Sequence, residues 1–399
     1  MKSPTLLQKI ALLQLELYDY DRFVKKLDSQ DMGTFSLSRL KWSKRVTLTY
    51  YLAKIIGIKS ANGLIAAAVK MVEDKERRRV RDNILKLKAK GLKVVAVAGS
   101  YGKTSIKNNL YDILRTKYRV VATPESYNTI FGIGRCLAWE VDELTEIFIV
   151  EVGAYKIGDI TSLLEMISPD YGVITGIARQ HLDRFGSFEN IKQAKGEIID
   201  YMVKHQGVIA ANLADVTVAE IVEKKGVQVL GYGIKNDRTL TNWEGARVLA
   251  KAIGMNAKDI SKAKARPVKN RFEMTSERYG MLVIDDSFSS NDIGFKDALL
   301  QLGKYKKYNR ILVTPGIVEL GKDESDIHVA LGKAIVGNAD YVFLVGHSNR
   351  TKSLALGIGK NVPILYLDKT LDFMTKVKEI KSDKEPIVLI ENDVTANYN

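Results

Sequence analysis

Residues 94–105 read Val-Val-Ala-Val-Ala-Gly-Ser-Tyr-Gly-Lys-Thr-Ser: an apolar run breaks into a glycine turn, then a lysine and two hydroxyls. A strand ending near Gly99 and a helix starting after Gly102 would aim several backbone N–H groups and a helix amino terminus at one point, which suits a polyphosphate. In that arrangement Gly99, Ser100 and Gly102 shape the turn. Lys103 lies against the β- and γ-phosphates, and the hydroxyl of Thr104 or Ser105 holds a magnesium ion. The loop departs from the full phosphate-loop pattern at one place, where Val97 stands for its first glycine. Glu151 ends the run Ile147-Phe148-Ile149-Val150 and so brings a carboxylate to the carboxyl edge of the same sheet, where metal coordination is its natural role. His181, in Arg179-Gln180-His181-Leu182-Asp183, and Lys195, in Gln193-Ala194-Lys195-Gly196-Glu197, each read alone as an ordinary packed histidine and a solvated lysine.

The surrounding chain supplies elements that can place these groups. After about residue 91, short β-branched runs alternate with longer amphipathic ones, the pattern of βα units around a parallel sheet. Strands are expected at Val94–Ala98, Arg119–Ala122, Ile147–Val152, Tyr171–Thr175, Gly207–Ala210 and Val227–Gly231. Leu240–Ile253 and Ala257–Ala263 read as a helical connector. A second alternating series then places strands at Leu282–Asp286, Ile311–Thr314, Tyr341–Val345, Ile364–Leu367 and Ile387–Ile390. The first 90 residues carry helical spacing instead, over Leu6–Leu27, Val46–Ile56 and Leu64–Val72, and the basic stretch beginning at Arg77 is expected to end at a glycine cap, Gly91. The expected fold is α/β: a basic helical segment over residues 1–91, a central phosphate-loop domain with a parallel sheet over 92–267, and a Rossmann-like domain over 268–399.

Composition sets outer limits. With 46% apolar and 27% charged residues the chain is an ordinary globular one. Its longest uninterrupted apolar runs, such as Leu64–Val69, fall short of the roughly 20 residues of a spanning helix, so none is expected. The single cysteine, Cys136, allows no internal disulfide and fits a cytoplasmic protein. Of the net charge of +14, most sits early: residues 1–93 hold 21 Lys and Arg against 9 Asp and Glu. A peripheral contact with an anionic surface is therefore expected of residues 1–91, if of any part, with a solvated helical face as the plain alternative. The aromatics there, Trp42, Tyr50 and Tyr51, read as helix core positions, and a nucleic-acid partner is not expected.

Taken together, the motifs from Gly99 to Glu197 resemble the central ATPase domain of the Mur ligase family, most closely its MurF branch. The matching stretches are the loop 99–105, Thr123 with Ser126-Tyr127-Asn128, Glu151-Val152-Gly153-Ala154, His181-Leu182-Asp183 with Phe185-Gly186-Ser187, and Ala194-Lys195-Gly196-Glu197. Downstream, Asn270-Arg271-Phe272-Glu273, Asp285-Asp286-Ser287 and Glu319-Leu320-Gly321 with His328 resemble motifs of its third domain. The resemblance implies an ATP-dependent ligase that activates a carboxylate as an acyl phosphate and joins it to an amine. It gives Thr104 and Glu151 to one magnesium ion, and His181 with a carbamylated Lys195 to a second. It brings Asn212 to the adenine, and Arg271 and Asp286 to the nucleotide from the third domain. Lys103, His181 and Lys195 are the implied catalytic set. The implied substrates are a nucleotide- or lipid-linked peptide acceptor and an amino acid or dipeptide, as in cell-wall precursor synthesis. The family's usual first domain is replaced by the basic helical segment. Other carboxylates, such as a folate, a polyglutamate or a pseudomurein-type peptide, therefore stay open, as does a non-catalytic ATP-binding scaffold.

Overall fold

The computed structural model describes residues 4–15, 18–29, 41, 43–124, 127–234, 238–263, 273–275, 280–287 and 291–392. The chain divides into two compact units, residues 1–78 with 395–399, and residues 79–394.

Within the larger unit, six strands form a wholly parallel sheet: β1 (Lys93–Ala98), β2 (Val120–Ala122), β3 (Ile147–Glu151), β4 (Tyr171–Ile174), β5 (Val208–Asn212) and β6 (Leu230–Tyr232), in the order β2-β3-β1-β4-β5-β6. Both faces of the central strands are buried, which is why they read as unbroken apolar runs and not as alternation. The chain leaves β1 towards β2 and β3 on one side and resumes with β4 to β6 on the other. A crevice must open at the carboxyl end of β1, where the loop 99–105 lies. The opposite end of the sheet is pinned by Asp170, whose carboxylate accepts from Val94 N at 2.8 Å and pairs with Lys88 at 2.7 Å.

A second sheet contains β7 (Glu273–Thr275), β8 (Leu282–Asp286), β9 (Asn309–Thr314), β10 (Tyr341–Val345), β11 (Ile364–Leu367) and β12 (Pro386–Glu391), in the order β11-β10-β9-β12-β8-β7. It is parallel except for β7, which pairs antiparallel with β8 at the edge. The expected alternating series is there. The strands expected at Gly207–Ala210 and Val227–Gly231 begin later than expected, at Val208 and Leu230, because each follows a backbone in the left-handed region, Gln206 (φ 57°) and Gly226 (φ 59°).

The smaller unit corrects two expectations. The spacing from Leu6 to Leu27 belongs to two helices, Leu6–Leu15 and Tyr20–Ser29, separated at Tyr18 (φ 64°). The patterns at 46–56 and 64–72 belong to one long element, Lys44–Lys88, interrupted at Gly57 (φ 80°, ψ 158°). That helix is long and apolar enough, by length and composition, to cross a membrane. Its most apolar 18 residues have mean hydropathy 1.5 and are 17% buried. Counting uninterrupted runs missed it because isolated lysines such as Lys59 and Lys70 divide a stretch whose average stays apolar. The chain then turns at Gly91 (φ 106°), whose N–H donates to Lys88 O at 2.9 Å, as expected of the glycine cap.

The loop after β9 is held by a buried imidazole. His328 Nε2 accepts from Ile317 N at 2.9 Å, and its Nδ1 meets Glu324 O at 2.6 Å, which fixes the neutral ring with its proton on Nδ1. Burial pushes this group down from 6.5 to about 4. Between those pH values the unfolded chain takes up a proton that the folded ring refuses, so the folded state loses stability as pH falls from 6.5 towards 4. We expect His328→Gln to remove up to about 3 kcal/mol of that acid sensitivity, read as the difference in urea-unfolding free energy between pH 7 and pH 4.5 for the two proteins.

Candidate functional site

The turn after β1 closes on β4 and the segment that follows it. Ser100 N donates to Gly176 O at 2.6 Å, Ser100 Oγ to Ala178 O at 3.3 Å, and Thr175 Oγ1 to the carbonyl of Tyr101. These contacts leave no space for a side chain at Gly99 (φ 143°), where a Cβ would lie 3.0 Å from Gly176 O. Gly102 (φ 80°) caps the helix Lys103–Leu114 and is approached by Asn242, so both glycines are needed as glycine. Lys103 opens the helix and reaches back across the turn to Ser100 O at 3.3 Å, while Thr104 and Ser105 share its first turn. The turn and the first residues of the helix therefore lie at the carboxyl edge of the sheet, with Lys103, Thr104 and Ser105 in succession there.

Thr104 and Glu151 meet there. Thr104 Oγ1 donates to Glu151 Oε2 at 3.0 Å, and both residues are buried. Glu151 N accepts a place in the same network by donating to Thr123 Oγ1 at 3.2 Å. Lys107, one turn further along the same helix and 1% exposed, brings its ammonium to 3.5 Å from Glu151 Oε2. Lys107 lies outside the loop motif. The signal for it was its position three residues after Thr104, on the same helix face. A hydroxyl and a carboxylate oxygen touching beside a phosphate-binding turn are the hard donors that magnesium requires, so these residues fit that ion.

The chain from Glu151 to Tyr155 links the remaining predicted residues. Ala154 O accepts from Lys195 Nζ at 3.2 Å, and the Tyr155 ring lies 5.2 Å from that of His181. Lys195 is buried on the helix Phe188–Lys204, its ammonium 5.6 Å from the Phe185 ring. Burial, and next the charge of Lys103, pull its pKa from 10.5 down to about 7. The dependence on Lys103 brings the phosphate-loop lysine and Lys195 within electrostatic reach of each other. Glu197, two residues on, caps the helix Asp159–Ile167 by accepting from Gly158 N at 2.5 Å and Thr161 N at 2.8 Å, which locks the Lys195 helix to the 152–158 turn.

His181 (φ 56°) begins the short helix Leu182–Phe185. Its Nδ1 meets the carboxylate of Glu319, from the loop after β9, and Arg184 binds the other carboxylate oxygen through Nη2 at 2.6 Å and Nε at 3.1 Å. Asp183 N donates to Glu319 O at 3.1 Å. A histidine engaged by a carboxylate on Nδ1 keeps Nε2 for another partner, the arrangement that orients metal-binding imidazoles. The side chains that would serve a second ion are thus one imidazole and one amine. Among the described residues no group of three or more His, Cys, Asp and Glu side chains is gathered as a metal site.

Beside the turn lies a cavity of about 460 Å³ lined by Tyr101, Thr175, Asn212, Asn242 and, from the helix Asp292–Gly303, Ile293 and Lys296. Asn212, at the end of β5, lines this cavity, and Tyr101 Oη donates to Asp215 at 2.5 Å across its wall. Asp286 ends β8 in the second sheet and is not among the residues lining the cavity. Arg271 lies outside the described residues, as do Ser126 and Asn270.

Residues 97–309, more than half of the chain, match the family described as the Mur ligase middle domain, and the chain belongs to the Mur ligase family. The UDP-N-acetylmuramoyl-tripeptide–D-alanyl-D-alanine ligase of Bacillus subtilis is 27% identical over an alignment of 291 residues that covers 64% of this chain and 63% of that protein. The chain thus spans somewhat less than two thirds of that relative. Among solved structures, MurF from Acinetobacter baumannii superposes with a TM-score of 0.69 at 22% identity, covering 79% of this chain and 77% of that one. MurF ligase from Thermotoga maritima in complex with ADP gives a TM-score of 0.69 at 20% identity, with 80% of each chain covered. A more distant likeness, with a TM-score of 0.55 at 15% identity, is to the bifunctional folylpolyglutamate synthase/dihydrofolate synthase of Yersinia pestis, covering 80% of this chain and 92% of that one. These structures share the fold of this chain.

Removing the ammonium that faces Glu151 would leave a buried carboxylate with one fewer partner. Lys107→Met is expected to cost about 3 kcal/mol of stability, and Lys107→Met with Glu151→Gln to recover most of it, measured by denaturant unfolding of the two variants and wild type.

Proposed function

We propose that the protein is an ATP-dependent ligase that forms an amide bond through an acyl phosphate, acting on a nucleotide- or lipid-linked peptide acceptor and a dipeptide in cell-wall precursor synthesis. The observation that carries this reading is the convergence of Lys103, Thr104 and Glu151 with the 151–155 segment that touches both Lys195 and His181. Residues 1–91, 92–267 and 268–399 would divide the work as acceptor-side or docking segment, nucleotide domain and closing domain. The B. subtilis relative, a ligase for a UDP-linked tripeptide and D-alanyl-D-alanine, supports the choice of substrates. A reaction that consumes ATP, and a single buried cysteine, support a cytoplasmic site of action.

In this mechanism the N–H groups of residues 99–105 and Lys103 hold the β- and γ-phosphates while Asn212 orients the adenine. Thr104 and Glu151 would hold one magnesium ion, and His181 with a carbamylated Lys195 a second. When bound, the ions neutralise the charge that develops on the transferring phosphoryl group. The acceptor carboxylate takes the γ-phosphoryl group and ADP is released. The amine then attacks the acyl carbon, the C–N bond forms, the C–O bond to phosphate breaks, and inorganic phosphate leaves with the amine's surplus proton passing to solvent. Glu319, by holding His181 and Arg184, ties the third domain to the nucleotide domain and keeps water from the acyl phosphate. Arg271 and Asp286 would reach the nucleotide when that domain closes further.

Carbamylation needs a neutral amine, and a lysine whose pKa is lowered to about 7 supplies one at neutral pH. With ¹³C-bicarbonate, a carbamate resonance is expected that grows between pH 6 and pH 8 and is absent from Lys195→Ala; no such difference would remove the second metal's oxygen ligand from the mechanism.

A second reading is favoured by one observation, the 92% coverage of the folylpolyglutamate synthase structure: the acceptor would be a folate-type glutamate carboxylate. Coupled phosphate release with each acceptor and amine pair separates the two. The proposal expects turnover only when UDP-linked peptide and D-alanyl-D-alanine are both present, with at least about a hundredfold loss in Lys103→Ala. Turnover with a folate and glutamate instead would establish the second reading. ATP binding without turnover on any pair would indicate a scaffold.

A further inference from the structure

The smaller unit carries a surface that no step of the proposed chemistry touches. Along the helix Lys44–Lys88, Leu48, Tyr51, Ile55, Leu64, Met71 and Val72 are each more than half exposed, Ile55 and Met71 at 79% and 72%. Its most apolar 18 residues are 17% buried, far from the state of a core helix. Residues 41–72 contain six Lys and Arg and no Asp or Glu. Water is a poor neighbour for such a face, and apolar patches of this kind mark interaction sites.

We propose that this helix lies in the plane of an anionic lipid bilayer, with its exposed apolar side chains in the headgroup–acyl boundary and its lysines and arginines among the anionic headgroups. Charge selects the occupant. A second copy of the chain would set a wholly basic stretch against itself, whereas anionic headgroups supply the missing negative charge, about 1 kcal/mol for each basic residue near the surface. The exposed apolar side chains add a contribution that a purely electrostatic partner such as RNA would not use. Backbone and lysine positions then decide between lying and crossing. Gly57 breaks the helix inside the stretch, and Lys54, Lys59 and Lys70 recur along it. Each lysine at a bilayer centre would cost about 3 kcal/mol, but at the interface its stem can snorkel to the headgroups. The inference is independent of the substrate reading, since it rests on a different unit and on no catalytic residue.

The test is flotation of the protein with vesicles of phosphatidylcholine alone or with about 30 mol% phosphatidylglycerol, which gives the surface a negative potential. At least about tenfold more protein should float with the anionic vesicles. Ile55→Asp with Leu64→Asp and Met71→Asp should abolish the difference while nucleotide binding is unchanged, a fold control because all three side chains are exposed. Equal flotation with both vesicle types overturns the proposal, as does full binding by the triple variant, which would reduce the surface to a charge effect. Retention on the membrane in alkaline carbonate would show a crossing helix, and a stable vesicle-free dimer by light scattering would give the face to a second copy; either result overturns it.

Discussion

Glu151 is only 1% exposed, and the edge of the first sheet is organised around the partners of its carboxylate. Desolvating a carboxylate costs several kcal/mol unless cations and donors surround it. Here the surroundings are the hydroxyl of Thr104 and the ammonium of Lys107, both from the helix that follows the glycine turn. The same helix carries Lys103 at its start. One short element therefore pairs the buried carboxylate and begins at the glycine turn, so the carboxylate and the turn are held at a fixed separation. The carboxylate is delivered by β3, whose register beside β1 sets Glu151 opposite Val97, two residues before the turn.

A second carboxylate, Glu319, works from the other sheet. It is 6% exposed, so its pairing with His181 and the fork of Arg184 is the arrangement that makes its burial tolerable. The loop that carries it is itself braced: His328 accepts from Ile317 N, and Asn392 Nδ2 donates to Gly316 O at 2.6 Å. The loop after β9 is thus braced up to the residue that meets the segment after β4. A braced loop ending in a carboxylate joins the two sheets at His181, whose ring is held between Glu319 and the Tyr155 ring.

The parts of this arrangement that were legible in the sequence are those encoded locally. The apolar runs that become β1, β3 and β4 are each buried on both faces, and Gly99, Gly102, Lys103 and Thr104 follow β1 without interruption, so strand, turn and helix could be read in one pass. Lys195 and His181 were legible only through the family's motifs, because a lone lysine or histidine carries no chemical signature of its own. The contact between His181 and Glu319 was not legible at all: the residues are 138 positions apart, and only the packing of two sheets brings them together. The edge strand β7 escaped because three residues give no periodicity. The long helix was read in pieces because Gly57 and the lysines interrupt a pattern that is continuous in average hydropathy.

Lys195 shows why burial and chemistry are linked at this edge. An ammonium there is opposed by desolvation and by the charge of Lys103, and a main-chain carbonyl, Ala154 O, is the acceptor it meets. A charge at the same depth costs free energy unless it is paired, as Glu151 is by Lys107. A lysine whose pKa is lowered to about 7 can be neutral at that depth and so avoids that cost. The depressed basicity of Lys195 thus follows from its depth and from its closeness to Lys103 on the glycine turn, so the two lysines of this edge are electrostatically linked.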